Sequence, residues 1–416
     1  MLQSLALALE GNRALARRNR FAPITVAVKS GAEAWTVQFG QDPIVVAKGA
    51  PATADLTFEA SPETWAAFAS PVPPVGYQSL NGMMRMGHLA VSGTMLEFGR
   101  HMTLIEDVFA AVRGAKPARD KPASVGKPWI EGITGRYLHT DLDGRPHRIY
   151  FEEAGPADGI PLLCLHTAGS DGRQYRGVLN DPEVTRTFRV IAFDLPYHGK
   201  SSPPAGFETD IYRLTTKLYV DTVMTVSRAL GLKTPVVMGC SIGGRAVLHL
   251  ALQHGPDFRA AIGLQSAIYA DPGANPGLRE LEVINRPDVH GGDASAAFVS
   301  CLISPTSPPT DRAETLWHYS QSAPGVFMGD LVYYMADGDM RNLDLSPLQS
   351  QQCPLYLLTG EYDLSATPAL TADLAQKVNA RYFEVMKGLG HFPMSEAPER
   401  FLAYLRPVLS RIAAES

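Results

Sequence analysis

The chain has 416 residues, 45% apolar and 19% charged, with a formal net charge of −5 at pH 7. This is ordinary globular composition, with enough apolar residues for two or three domains. The mild acidity argues against a nucleic-acid groove, since the densest basic run is Arg17-Arg18-Asn19-Arg20, read as a solvated helix end.

From the N-terminus, Met1 to Glu10 is apolar but short. It lacks a basic flank and a small-residue cleavage site, so no secretory signal is expected. No stretch approaches about 18 uninterrupted apolar residues, so no membrane span is expected either. Leu2–Arg18 reads as a helical stretch. Ile24–Val28, Trp35–Phe39 and Asp55–Phe58 alternate like half-exposed antiparallel strands. Ser61-Pro62-Glu63-Thr64 is a helix start, with Ser61 as N-cap and Pro62 in the first turn, opening a helix over Pro62–Phe68. A further helix covers Leu96–Val112. Arg113 to Pro128 then holds three prolines and no apolar periodicity, as a linker does. The expected division is a small α+β domain at 1–113, a linker at 114–129 and a larger domain at 130–416.

The larger part opens with Tyr137–His139 and His147–Phe151, a hairpin turning at Asp143-Gly144. Apolar runs follow at Pro161–Leu165, Phe188–Phe193, Pro235–Met238, Ala260–Leu264, Pro354–Leu358 and Arg381–Val385, with helical segments between them. Continuous apolar strands alternating with helices imply an α/β fold with a mostly parallel sheet covered on both faces. Functional loops then belong at the carboxyl ends of those strands.

One such end reads Gly239-Cys240-Ser241-Ile242-Gly243-Gly244, between an apolar strand and a helix-like run from Arg245 to Leu252. Strand, sharp turn and helix are the context that G-x-S-x-G needs to lift a serine hydroxyl above a sheet. Side chains at 239 and 243 would clash across so tight a bend. The helix that follows points its free N–H groups at any negative charge formed near Ser241, so Ile242 is an expected oxyanion donor. A serine hydroxyl also needs a base, and the base an orienting acid. His391, framed by Gly388 and Gly390, is the candidate base; Asp363, Glu361 and Asp271 are candidate acids. Cys240 reads as a packed thiol. The four cysteines form no C-x-x-C pair, so neither structural zinc nor a redox dithiol is expected. Their setting suits reduced thiols in a cytoplasmic protein.

These motifs together make residues 130–412 resemble the α/β-hydrolase family. His166-Thr167-Ala168-Gly169 is similar to the family's oxyanion turn, and Asp194-Leu195-Pro196-Tyr197-His198-Gly199-Lys200-Ser201 to its D-x-x-G-x-G-x-S turn, with Tyr197 in place of the first glycine. The order Ser, acid, His is the family's order. The resemblance implies Ser241 as nucleophile, His391 as base and Asp363 as the acid, because Asp363 to Pro368 resembles the family's acid loop. It also implies Ala168 as the second oxyanion donor, although Thr167 replaces the usual glycine beside it. His198 reads as structural. The region from about 268 to 350 falls where the family carries a helical cap, so Trp317, Tyr319, Phe327, Met328 and Tyr333 are expected to line an apolar substrate pocket.

Residues 1–113 resemble a sterol-carrier-protein-2-type domain, through Ala54 to Trp65 and Gly87 to Gly93. The resemblance implies an apolar-ligand tunnel or, with the tunnel lost, a dimerisation or shielding domain.

The expected activity is serine hydrolysis of a carboxylic ester of a small apolar substrate, with no metal and no organic cofactor. Thioester, lactone or diketone C–C hydrolysis, perhydrolysis and acyl transfer use the same motifs. A carrier protein with a vestigial hydrolase domain is the reading from another class. A homodimer is a generic expectation.

Overall fold

The computed structural model describes residues 2–113, 126–271, 281–350 and 352–415. Most of the expected linker, 114–125, and part of the expected cap, 272–280, lie outside the described residues.

The N-terminal part builds one sheet from Thr25–Ser30 (β1), Glu33–Gln38 (β2), Val45–Lys48 (β3), Leu56–Ala60 (β4) and Ala90–Gly93 (β5), in the order β3-β2-β1-β4-β5. All pairs are antiparallel except β1 with β4. The helix Pro62–Phe68 starts where its sequence dictates, with the Ser61 hydroxyl accepting from the Thr64 N–H. The expected helix over Leu2–Arg18 is instead two pieces, a 3-10 turn at Leu2–Leu7 and an α-helix at Arg13–Asn19. Gly11 takes a left-handed φ of 69° between them, and Asn12 caps the second piece. Beneath the sheet Phe58 meets Phe98 and Phe109 edge-on, and Trp65 packs against Phe68 and Phe109. These fully buried rings contribute roughly 1.5–3 kcal/mol each. The same cluster takes in Ala297 and Phe298 from the larger part.

The larger part carries Thr134–Leu142 (β6), Arg145–Ala154 (β7), Ile160–Leu165 (β8), Phe188–Phe193 (β9), Val236–Cys240 (β10), Ala260–Leu264 (β11), Leu355–Gly360 (β12) and Tyr382–Met386 (β13). Their order is β13-β12-β11-β10-β8-β9-β7-β6. From β9 to β13 all pairs are parallel, and β6 and β7 form the antiparallel edge. β10 and β11 are buried along their whole length, as central strands covered on both faces must be. The fold is therefore the α/β-hydrolase arrangement preceded by a small sheet-containing unit. Between β11 and β12, helices Gly291–Ser300, Pro309–Ser320 and Val326–Val332 form a roof over the carboxyl ends of the strands. No helix among the described residues is long and apolar enough to cross a membrane.

Candidate active site

β10 ends at Cys240 and a helix begins at Ile242, so Ser241 carries the whole reversal. It does so with φ 59° and ψ −112°, a conformation a non-glycine residue adopts only when its surroundings impose it. The surroundings leave little choice. A Cβ on Gly239 would run into the Gly243 carbonyl, and one on Gly243 would sit 2.5 Å from the Leu165 oxygen. Ile242 is the first residue of the helix, where a backbone N–H has no intrahelical acceptor.

Past the carboxyl ends of β12 and β13 lie the acid and the histidine. Nδ1 of His391 is 2.8 Å from Oδ2 of Asp363, an ion-pair distance without hydrogen-bond alignment, and neither atom has a hydrogen-bond partner among the described residues. The other Asp363 oxygen accepts the Ser365 and Ala366 N–H groups, which fixes the carboxylate. Glu361 is turned away, paired with Lys387 and holding the Gly388 N–H. Three ties steady the histidine loop. The His391 N–H donates to the Leu302 carbonyl, the Cys240 thiol to the His391 carbonyl, and the Gln265 amide bridges Gly390 and Gly360. Burial pushes the Cys240 thiol far above its ordinary range, so it packs as a neutral donor.

The His166–Gly169 turn follows β8. The Thr167 N–H donates to Gln174 and the Gly169 N–H to Asp330, at 3.1 and 2.7 Å. Ala168, between them, lines the pocket, and its N–H has no acceptor among the described residues. Thr167 fits where a glycine is usual because its hydroxyl points away, donating to Gln174 and lying 2.5 Å from the Tyr319 hydroxyl. Gly169 has φ 64°, and a Cβ there would meet the Phe327 ring at 2.7 Å. Burial pushes His166 down to about 4, so it is neutral, with Nδ1 donating to the Thr167 carbonyl and Nε2 accepting the Leu195 N–H.

Asp330, in the roof helix Val326–Val332, was not singled out by its sequence. Besides Gly169 it faces His198 Nε2 at 2.8 Å and accepts the Tyr212 hydroxyl at 2.8 Å. Burial works against charge on His198, but the Asp330 carboxylate and the Pro196 carbonyl outweigh it and raise the ring's pKa. Nδ1 lies 2.9 Å from the Pro196 carbonyl and Nε2 2.8 Å from Asp330, so both ring nitrogens are engaged away from Ser241. Tyr197 takes φ 72° at the position where the turn usually has glycine, its ring against Tyr212.

Ser241, His391 and Ala168 line one pocket, about 500 Å³ including its opening to solvent. Of the expected roof residues, Tyr319 and Phe327 line it. Trp317, Met328 and Tyr333 do not. Trp317 is 57% exposed on the outer face of its helix, under Arg173. Tyr333 packs on Tyr219 and His249, and Met328 is buried in the roof. The helical period explains this: Phe327, Leu331, Tyr334 and Met335 share the face that looks into the pocket, and 328 and 333 fall off it. Arg85 from the N-terminal part also lines the pocket, with Ser365 beside the acid loop.

Comparison with known proteins agrees with this architecture. The chain is 26% identical over 239 residues to the magnesium-chelatase 30 kDa subunit of Rhodobacter capsulatus, spanning 54% of this chain and 78% of that one. A putative aryl esterase from Burkholderia cenocepacia superimposes with a TM-score of 0.56 at 20% identity, covering 67% of this chain and all of that one. The enol-lactonase from Burkholderia xenovorans LB400 does so with 0.55 at 17% identity, again over 67% of this chain and 100% of its own. A sequence model described as "Alpha/beta hydrolase family" matches residues 162–404, which is more than half of the chain and includes Ser241, Asp363 and His391. The chain belongs to the α/β-hydrolase family.

Proposed function

We propose that this protein is a serine hydrolase that cleaves a carboxylic ester through an acyl-enzyme. The observation that carries the reading is the buried His391–Asp363 contact of 2.8 Å, with His391 and the strained Ser241 on the wall of one pocket. Asp363 holds the Nδ1 proton of His391, which leaves Nε2 as the base. Ser241 Oγ attacks the ester carbonyl as His391 takes its proton. The oxyanion is held by the N–H groups of Ile242 and Ala168. Collapse breaks the C–O bond, and the alcohol leaves with the proton from His391. Water then attacks the acyl-serine, giving its proton to His391, which returns it to Ser241 as the acid departs. Thioesters and lactones need no different groups.

For 1–113 we favour a shielding role over a carrier role. The space beneath the sheet is taken by Phe58, Trp65, Phe98 and Phe109, and the unit packs on the roof helix Gly291–Ser300. It serves better as a shield for the pocket than as a carrier.

The test is a chain-length series of 4-nitrophenyl esters with wild type beside S241A, together with labelling by an organophosphonate. Serine-dependent turnover supports the esterase reading, and its chain-length optimum sizes the pocket. Labelling without turnover moves the search to other acyl substrates. Neither labelling nor turnover overturns the reading and favours a binding protein.

A further inference from the structure

The N-terminal part meets the roof and the acid loop at one buried amide. Gln78 lies just ahead of the short helix Leu80–Arg85, and both Gln78 and Asn81 are buried. Gln78 is fixed from its own side. Its Oε1 accepts the Gly76 N–H at 2.7 Å, and Arg113 donates to its backbone carbonyl at 2.7 Å. The Ser79 hydroxyl caps the helix at the Gly82 N–H, and the Glu106 carboxylate accepts the Leu80 and Asn81 N–H groups. That leaves the amide nitrogen of Gln78, which has two hydrogens to give. It donates to the Cys301 carbonyl at 2.8 Å and lies 3.5 Å from the Tyr362 carbonyl.

Those two carbonyls belong to the segments on either side of the histidine loop. Cys301 precedes Leu302, whose carbonyl accepts the His391 N–H at 2.9 Å. Tyr362 precedes Asp363, and its own N–H donates to the Leu389 carbonyl at 2.9 Å. The roof segment and the acid loop are thus each bonded to the histidine loop, and Gln78 joins them to each other. Three segments close into a triangle that carries both His391 and Asp363. On the same joint the Tyr362 hydroxyl donates to the Pro73 carbonyl at 3.3 Å. The base and its acid sit on separate loops, so their register depends on what joins those loops. A displacement of about 1 Å between reacting groups can cost on the order of 100-fold in rate.

We infer that Gln78 is a positioning residue for the relay: its amide holds the acid loop and the Leu302 segment at the spacing that keeps His391 facing Asp363. The N-terminal unit then supplies part of the alignment of the site as well as covering the pocket. The inference rests on the serine-esterase reading for its kinetic consequence, but not for the geometry of the histidine.

Two measurements separate them. Q78M keeps the length of the side chain and removes its donors. Q78E also keeps an acceptor for the Gly76 N–H, and takes the place of Q78M if that protein does not fold. N81A is the control, because it cuts the neighbouring bond from the same helix to the roof, Nδ2 to the Phe298 carbonyl at 3.2 Å, and leaves Gln78 in place. The first measurement is turnover of 4-nitrophenyl butyrate and the rate of Ser241 labelling by an organophosphonate, below the melting point of every variant. In Q78M both kcat and the labelling rate are expected to fall about 10–100-fold with KM within about 3-fold, while N81A keeps kcat within about 3-fold. An unchanged kcat in Q78M, or an equal loss in Q78M and N81A, overturns the positioning role and leaves the esterase reading intact. The second is NMR of protein carrying isotope-labelled histidine, with the His391 signal assigned by its absence in H391A. That signal is expected to move in Q78M and to stay in N81A. Such a result supports the inference even if wild type neither cleaves ester nor is labelled, and in that case only the esterase reading falls. A His391 signal that does not move in Q78M overturns the inference.

Discussion

Asp330, in the roof of the pocket, accepts the backbone N–H of Gly169, in its floor, at 2.7 Å. The bond ties the roof to the turn that carries Ala168. The carboxylate is fully buried and shares its charge with His198, while Tyr212 occupies its other oxygen. The roof is therefore more than a cover, because its carboxylate is bonded to the turn that carries Ala168.

Replacing Asp330 with Asn tests this. The amide keeps the shape but removes the charge facing His198, and breaking a buried pair in this way costs about 3–5 kcal/mol. As a positioning residue, Asp330 acts through Ala168, so kcat is expected to fall about 10–100-fold with a smaller change in KM. Steady-state kinetics beside a thermal melt read both effects. A variant that melts early but keeps full kcat would leave Asp330 a purely structural group.

Gly169→Ala attacks the same turn from the other side. The new methyl must sit at a left-handed φ and 2.7 Å from Phe327, so either the turn or the roof has to shift. A loss of about 1–3 kcal/mol in stability is expected. A drop in kcat/KM should accompany it, and F327A in the same chain should restore part of the loss by making space. Absence of any rescue would mean that backbone strain at 169, rather than the clash, carries the effect.

Much of this site was legible in the sequence because its constraints are local. A strand, a G-x-S-x-G bend and a helix can be read within 15 or so residues, and Gly239 and Gly243 are there because neighbouring backbone leaves no room. Asp363 was chosen over Glu361 by its loop, and it is the carboxylate that faces His391. Contacts between distant segments were not legible. Arg85 and Ser241 come to line one pocket through a packed joint with no local signature. β3 and the helix Leu80–Arg85 are too short for periodicity to mark. Within the roof, aromatic and methionine content pointed to five residues, but only the helical phase separates Phe327 from Met328. Asp330 did leave a trace, as a lone carboxylate inside the apolar run from Val326 to Met335.

Substitution at the three groups of the proposed relay has graded expectations. S241A and H391A should each lower kcat by at least about 10⁴-fold, because either loss removes the covalent route. D363N leaves the base in place with the wrong tautomer and should cost about 10²–10⁴-fold. All three proteins should melt within a few degrees of wild type if the residues are chemical rather than structural. Pre-steady-state assays with a 4-nitrophenyl ester in excess give a burst of nitrophenol where deacylation of the acyl-enzyme is slower than its formation. A D363N enzyme with undiminished kcat would assign the orienting role to another acid.

His318 sets a pH limit on the fold. It lies on the roof helix Pro309–Ser320, 2% exposed, with no hydrogen-bond partner for either ring nitrogen among the described residues, and Glu314 is 3.8 Å away. Burial pushes its pKa from 6.5 down to about 4. The unfolded chain therefore takes up a proton on this ring as pH falls through 6.5, while the folded chain stays neutral until about 4. Stability is full above 6.5 and is lost progressively towards 4, by on the order of 3 kcal/mol from this group. His318→Leu removes that dependence, so the variant should gain on wild type in denaturant melts at pH 5 relative to pH 8. His166, held down to about 4 by the same cause, leaves a residual slope in the variant. Parallel curves for the two proteins between pH 5 and 8 would show that the ring is protonated or solvated in the folded state.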